Sequence, residues 1–280
     1  MKKWTLGFLL LCGFAGLSGC AVPWHGQQNK QTGSLVEYLY PKQTTPVAVE
    51  PAAMTHLKLP LRVGIAFVPP GNMGYGELPE SERLKMLSRV KEAFSHHPFI
   101  GGIEVIPSSY LKPRGGFENL EQVSRMFNVD VVALLSYDQM QFSDRNQLSF
   151  LYWTIIGAYV IHGNEYDTHT MLDAVVFDVP SRKLLFRAPG TSTVKGAASW
   201  ATFSERSRGA RIDGFNKALD VLIPQLQTEL SAFKERVKSD TSVRVQHRPG
   251  YTGGGDMGWL GVVLVLLLIG VGMGHVRKLD

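Results

Sequence analysis

The sequence predicts an α/β fold: a single domain with a mixed parallel and antiparallel sheet, in the order β-α-β-α-β, then antiparallel strands and a long helix, plus a C-terminal transmembrane helix. Three observations predict it. Short aliphatic runs alternate with helix-period patterns between residues 62 and 137, which implies parallel strands joined by right-handed crossovers. Two strand patterns meet at a tight Val179-Pro180-Ser181-Arg182 turn, which implies an antiparallel hairpin. Apolar residues recur at three- and four-residue spacing from Ile212 to Val237, which implies a helix with one buried face.

Arg62 to Val68 reads as a compact strand, stopped by Pro69-Pro70. A loop containing Gly71, Gly74 and Gly76 leads to a helix from about Glu80 to His96, with Leu84, Leu87, Val90 and Phe94 on its apolar face and Pro98 as its stop. Ile103 to Ile106 reads as a second strand. Phe117, Leu120, Val123 and Phe127 mark a shorter helix. Val129 to Tyr137 is apolar on both faces, as befits a strand buried among parallel neighbours. Phe150 to Ile161 is apolar but too short to cross a membrane as a helix. It reads as a long strand completing the sheet, or as an interaction patch. Thr170–Val179 and Lys183–Thr193 are the hairpin strands. Pro224 is expected to kink or split the long last helix.

This domain is expected to occupy residues 59–238. Residues 20–58 read as a flexible tether, because Gln27, Gln28, Asn29, Gln31, Pro41, Pro46 and Pro51 offer little to bury; one helical turn is expected at 35–40. Residues 239–252 read as a polar linker.

Both chain ends carry membrane signals. Lys2 and Lys3 precede an apolar stretch from Leu6 to Leu17, then small residues and Cys20, so residues 1–19 read as a secretory signal. At the other end, residues 253–280 form a sorting tail. Gly253, Gly254 and Gly255 lead into an apolar run long enough to span a bilayer at about 257–276, and Arg277 and Lys278 follow on the expected cytoplasmic side. The chain has two cysteines; Cys12 leaves with the signal and Cys20 would be lipidated, so no thiol remains for a disulfide, metal ligand or nucleophile. The formal net charge of +5 reflects basic residues gathered near the ends, and nucleic acid is not expected as the partner of an exported protein.

The search for chemistry yields little. His162 and His169 lie near Glu165, Asp167 and Asp173, but their spacing fits no metal-ligand pattern, and a solvated polar loop is the preferred reading. His96-His97 suits a helix C-terminus, where an imidazolium complements the dipole. The Gly71–Gly76 loop lacks nucleotide-binding spacing, and no Gly-x-Ser-x-Gly elbow exists. Glu80 with Glu82, and Asp138 with Asp144, read as helix-start and loop charges. No catalytic residue, metal or cofactor is expected.

Leu17-Ser18-Gly19-Cys20 resembles a bacterial lipobox, in which the cysteine is acylated and becomes the new N-terminus; Ala21 favours the outer membrane. Together with the Gly253-Gly254-Gly255 tail, its apolar helix and its basic end, the chain resembles the rhombotarget lipoproteins. That resemblance implies cleavage of the tail by a rhomboid-like protease, a rhombosortase. The tail departs from the family pattern at Asp256, where many members carry serine or another small residue. Residues 60–238 are similar in element order to the α/β domain of envelope lipoproteins such as the curli secretion lipoprotein and the penicillin-binding-protein activator; Met171–Val179 followed by Arg182-Lys183-Leu184-Leu185 looks like their hairpin. Those proteins bind partners and do not catalyse. The implied role is a lipid-anchored, non-enzymatic envelope protein touching an unknown envelope protein at the outer membrane or cell surface. The alternatives are an enzyme or metal-binding lipoprotein using the His162–Asp173 segment, and an uncut protein anchored at both ends in the inner membrane.

Overall fold

The computed structural model describes residues 27–41, 54–71, 77–145, 164–199 and 201–251. The N-terminal signal, Cys20, the 150–161 run, His162 and the 253–280 tail lie outside them. Among the described residues no helix is long and apolar enough to cross a membrane.

The core is one mixed sheet in the order β4 (Ile100–Val105), β3 (Leu61–Phe67), β5 (Val131–Arg145), β6 (Asn164–Asp178), β7 (Lys183–Ala198), with β1 (Gln27–Gly33) added beside β5. Strand β3 (Leu61–Phe67) is flanked on both sides by parallel partners, β4 (Ile100–Val105) and β5 (Val131–Arg145). β5, expected among parallel neighbours, has only β3 as a parallel partner; its apolar residues face both ways because helices cover both faces of the sheet. β5 then pairs antiparallel with β6 (Asn164–Asp178), and β6 with β7 (Lys183–Ala198). The β6–β7 turn closes where Asp178 accepts the backbone N–H of Ser181 at 3.0 Å and Arg182 adopts a φ of 55°.

Side-chain alternation divides the sheet into two cores. Val131, Ala133 and Leu135 of β5 face α2 (Glu80–Phe94) and α4 (Phe203–Ser239), against Met86, Leu87, Val90, Phe215, Leu219 and Leu222. Val132 and Leu134 face the other way, toward α1 (Leu35–Leu39) and α3 (Gly116–Met126), where Tyr38, Leu39, Leu120 and Val123 pack. The result is three layers, helix–sheet–helix.

Beyond Tyr137 the apolar alternation of β5 gives way to a polar one. Gln139 and Gln141 are buried, and each bridges sheet to helix. The Gln139 amide donates to Thr170 Oγ1 at 2.7 Å and to the Arg211 carbonyl at 2.9 Å. Gln141 repeats the pattern with Thr168 at 2.8 Å and the Ser207 carbonyl at 3.0 Å. α4 approaches closely here because Gly190 and Gly214 present no side chain. A Cβ on Gly190 would sit 2.2 Å from the Ala218 carbonyl oxygen, and one on Gly214 would sit 2.4 Å from Thr170 Oγ1.

Several expectations are corrected. Residues 27–41 and 54–58 are not tether. β1 (Gln27–Gly33) pairs with β5 from Ser143 back to Tyr137, and Gln31 donates to Gln139 Oε1 at 2.6 Å. Its polar composition misleads because its partners are the buried glutamine row, not an apolar core. Nor are residues 239–251 a free linker. β8 (Val243–His247) pairs in parallel with β2 (Thr55–Leu59), and Arg248 and Tyr251 bind Asp130 and the Pro98 carbonyl. Pro224 does not split α4, which runs unbroken for 37 residues. Pro224 is exposed, so the hydrogen bond it removes lies on the wet side while Leu222 and Leu226 hold the dry side. The segment before residue 170 is strand rather than loop from Asn164 onward.

Candidate functional sites

Two surfaces stand out. The first is a cavity of about 250 Å³ between the sheet, α2, the C-terminal half of α4 and the β2–β8 ribbon. Its walls are almost entirely carbon, from residues such as Val63, Val90, Ala133, Phe186, Leu226 and Leu230. The sequence builds this wall by the same periodicities that build the core: alternate residues of β3 and β5, and the three-four stripe of α4. The ribbon supplies Leu57, Leu59 and Val245 as the third side. Only three lining residues are exposed: Lys234, Lys238 and Val245, which mark the mouth. Lys234 Nζ lies 5.0 Å from the Phe99 ring centroid, and Lys238 Nζ bonds both oxygens of Glu235 at 2.8 and 2.7 Å. His97 stacks on Phe99 at 5.2 Å. Its pKa is lowered by burial first and by Lys234 next, so the imidazolium expected at this helix end is disfavoured. The cavity opens to solvent at this mouth, so its apolar lining stays in contact with water unless something covers it.

The second surface is the far half of the sheet on the α3 side. α3 covers Val175 and Phe177 but stops short of the strand ends, leaving Phe142 and Met171 39% and 48% exposed. Here His169 Nε2 lies 3.2 Å from Asp167, Lys195 Nζ lies 3.1 Å from the same carboxylate, and His169 Nδ1 meets Thr193 Oγ1 at 3.2 Å. The face is a shallow mixture of aromatic, thioether and charge.

The residues singled out in the sequence fall as follows. Glu165, Asp167, His169 and Asp173 alternate along one exposed face of β6 rather than around a loop. Asp173 is engaged by Arg187 at 3.4 Å, and burial raises its pKa against that partner. Among the described residues no group of three His, Cys, Asp or Glu side chains is placed to hold a metal ion. Glu80 accepts from the Ser108 N–H at 2.8 Å and pairs with Arg83 at 3.5 Å, while Glu82 pairs with Lys85 at 2.7 Å. Asp138 pairs with Lys30 at 3.5 Å. Each acid is thus used separately. Leu17, Ser18, Gly19, Cys20, Gly253, Gly254, Gly255, Arg277 and Lys278 lie outside the described residues. The cavity was missed in the sequence because a void has no motif. Its one linear trace is the pair of lysines at i, i+4 on the border of the α4 apolar stripe.

No protein-family model matches the chain, and no curated protein matches it. Solved structures do resemble it. A neuraminyllactose-binding hemagglutinin homolog from Helicobacter pylori aligns over 70% of this chain and 97% of its own, at 8% identity and a TM-score of 0.38. The PelC dodecamer from Paraburkholderia phytofirmans aligns over 70% of this chain and 97% of its own, at 12% identity and a TM-score of 0.23. Likenesses this distant carry no functional argument.

Proposed function

We propose that this chain is a lipid-anchored bacterial envelope protein, acylated on Cys20, trimmed at its glycine-rich tail by a rhomboid-like protease, and acting through protein contacts at the outer membrane or cell surface. The observation that supports this reading most is the position of β1. Gln27 pairs with Ser143, near the far end of β5. Cys20 precedes Gln27 by seven residues, a reach of at most about 25 Å. The chain that carries the apolar 150–161 run departs from Arg145 and returns at Asn164, neighbours at that same end. The strand that follows Cys20 in sequence and the two strand ends that flank residues 146–163 therefore lie together, beside the open face that carries Phe142 and Met171. This arrangement supports a reading in which that end turns to the membrane with a contact surface next to it.

Intact mass of the mature protein from membrane fractions tests the processing. A mass ending near Gly254 with added acyl groups is expected; one that retains residues 259–280 refutes the cut. Cross-linking from a photoreactive residue at Met171 tests the contact, with a discrete envelope-protein adduct expected and its absence counting against this face.

A further inference from the structure

We propose that the cavity beneath the C-terminal half of α4 binds a single-chain anionic amphiphile, a long-chain fatty acid, with its hydrocarbon between sheet and helices and its carboxylate at Lys234 and Lys238. The walls offer a ligand no hydrogen bonds, so the inserted part must be hydrocarbon. At about 250 Å³ the space lies just below the usual range of ligand sites, so it takes part of one chain, the rest remaining at the open mouth. The mouth selects the head group. Lys234 and Lys238 are the only charged residues lining the cavity, and Glu235 beside them offsets one of the two. Lys234 lies over the Phe99 ring and shares the Glu235 charge with Lys238, so the mouth keeps a net charge of about +1. A neutral head group would gain nothing from that charge, whereas a carboxylate pairs with it as the chain enters. The chain's own acyl group at Cys20 is the less favoured occupant, because β1, which follows Cys20 in sequence, joins the sheet at its opposite end.

The test uses the full chain in its native membranes, with palmitate bearing a mid-chain diazirine, photolysis, and mapping of the modified peptides. Adducts are expected in residues 94–103 and 226–237, removed by excess unlabelled palmitate. Ala133→Phe, which fills the cavity, should lower them at least tenfold. Because that variant could disturb the core, the exposed pair Lys234→Ala with Lys238→Ala is tested beside it. It should reduce palmitate labelling to that of an equivalent hexadecanol probe, which should label the parent chain several-fold less. Adducts that palmitate does not compete away, or equal labelling of the parent by hexadecanol, would overturn the proposal. Labelling that appears only in Cys20→Ala would instead put the chain's own acyl group in the cavity, and would overturn it equally.

Discussion

At the residue scale, Asp130 shows how a few contacts convert an apparent linker into structure. Burial alone would raise its pKa, but Arg62, at 2.9 Å, and Arg248 more than reverse this and hold the carboxylate below its usual range. A depressed folded-state pKa stabilises the protein above the unfolded value, about pH 4, and that contribution disappears as pH falls through the folded value. Asp130→Asn should therefore cost ~2 kcal/mol at neutral pH, and the deficit should shrink below about pH 4, read from urea unfolding at both pH values. Gly190 has the opposite character, since its value lies in what is missing. With a Cβ 2.2 Å from the Ala218 carbonyl oxygen, Gly190→Ala must displace α4 and should lose ~1–3 kcal/mol. An unchanged melting temperature would contradict that packing.

At the scale of elements, α4 is the member around which the others are fitted. Its stripe was legible from Ile212 to Val237, because a 3.6-residue period survives any composition on the wet face. Its first turns were not legible, since Ser207 and Arg211 contribute backbone carbonyls to Gln139 and Gln141, and a backbone acceptor has no sequence signature. The same polar row hid β1 and the far halves of β5 and β6. A buried strand of glutamine and threonine reads as loop to any argument built on hydrophobicity. Gln139→Leu should accordingly destabilise by ~1–3 kcal/mol despite raising the apolar content, because it strands Gln31 and Thr170. Pro224→Ala should stabilise α4 by ~1–2 kcal/mol, since alanine restores a helix donor that proline lacks; denaturant midpoints report both. The β-α-β-α-β order and the hairpin were readable for the ordinary reason that local periodicity, turn chemistry and burial agree there.

At the scale of the whole molecule, the proposed attachments lie at opposite ends of the sheet. β1 carries the chain in beside Ser143, while Arg248 and Tyr251 hold the departing chain beside Asp130 and Pro98, where β3 and β5 begin. The twelve residue steps from Val131 to Ser143 correspond to about 40 Å of strand. A chain held by both Cys20 and the tail would be constrained to lie lengthwise along a bilayer, and release of the tail would let it stand on its anchored end. Proteolysis or hydrogen exchange on uncut and cut forms in membranes should differ most at residues 243–251. Identical patterns would argue that the tail does not restrain the body.

The placement of β1 has one more effect. β3 covers β5 at residues 131–135 and β1 covers it at 137–143, so two strands running in opposite directions share one edge end to end. The first described residues after the proposed anchor thus act as a plug. Were they peeled away by tension on the lipid, a seven-residue row of backbone donors and acceptors would be bared, and such rows recruit strands from other chains. Tension on that segment would turn a closed sheet edge into an adhesive one.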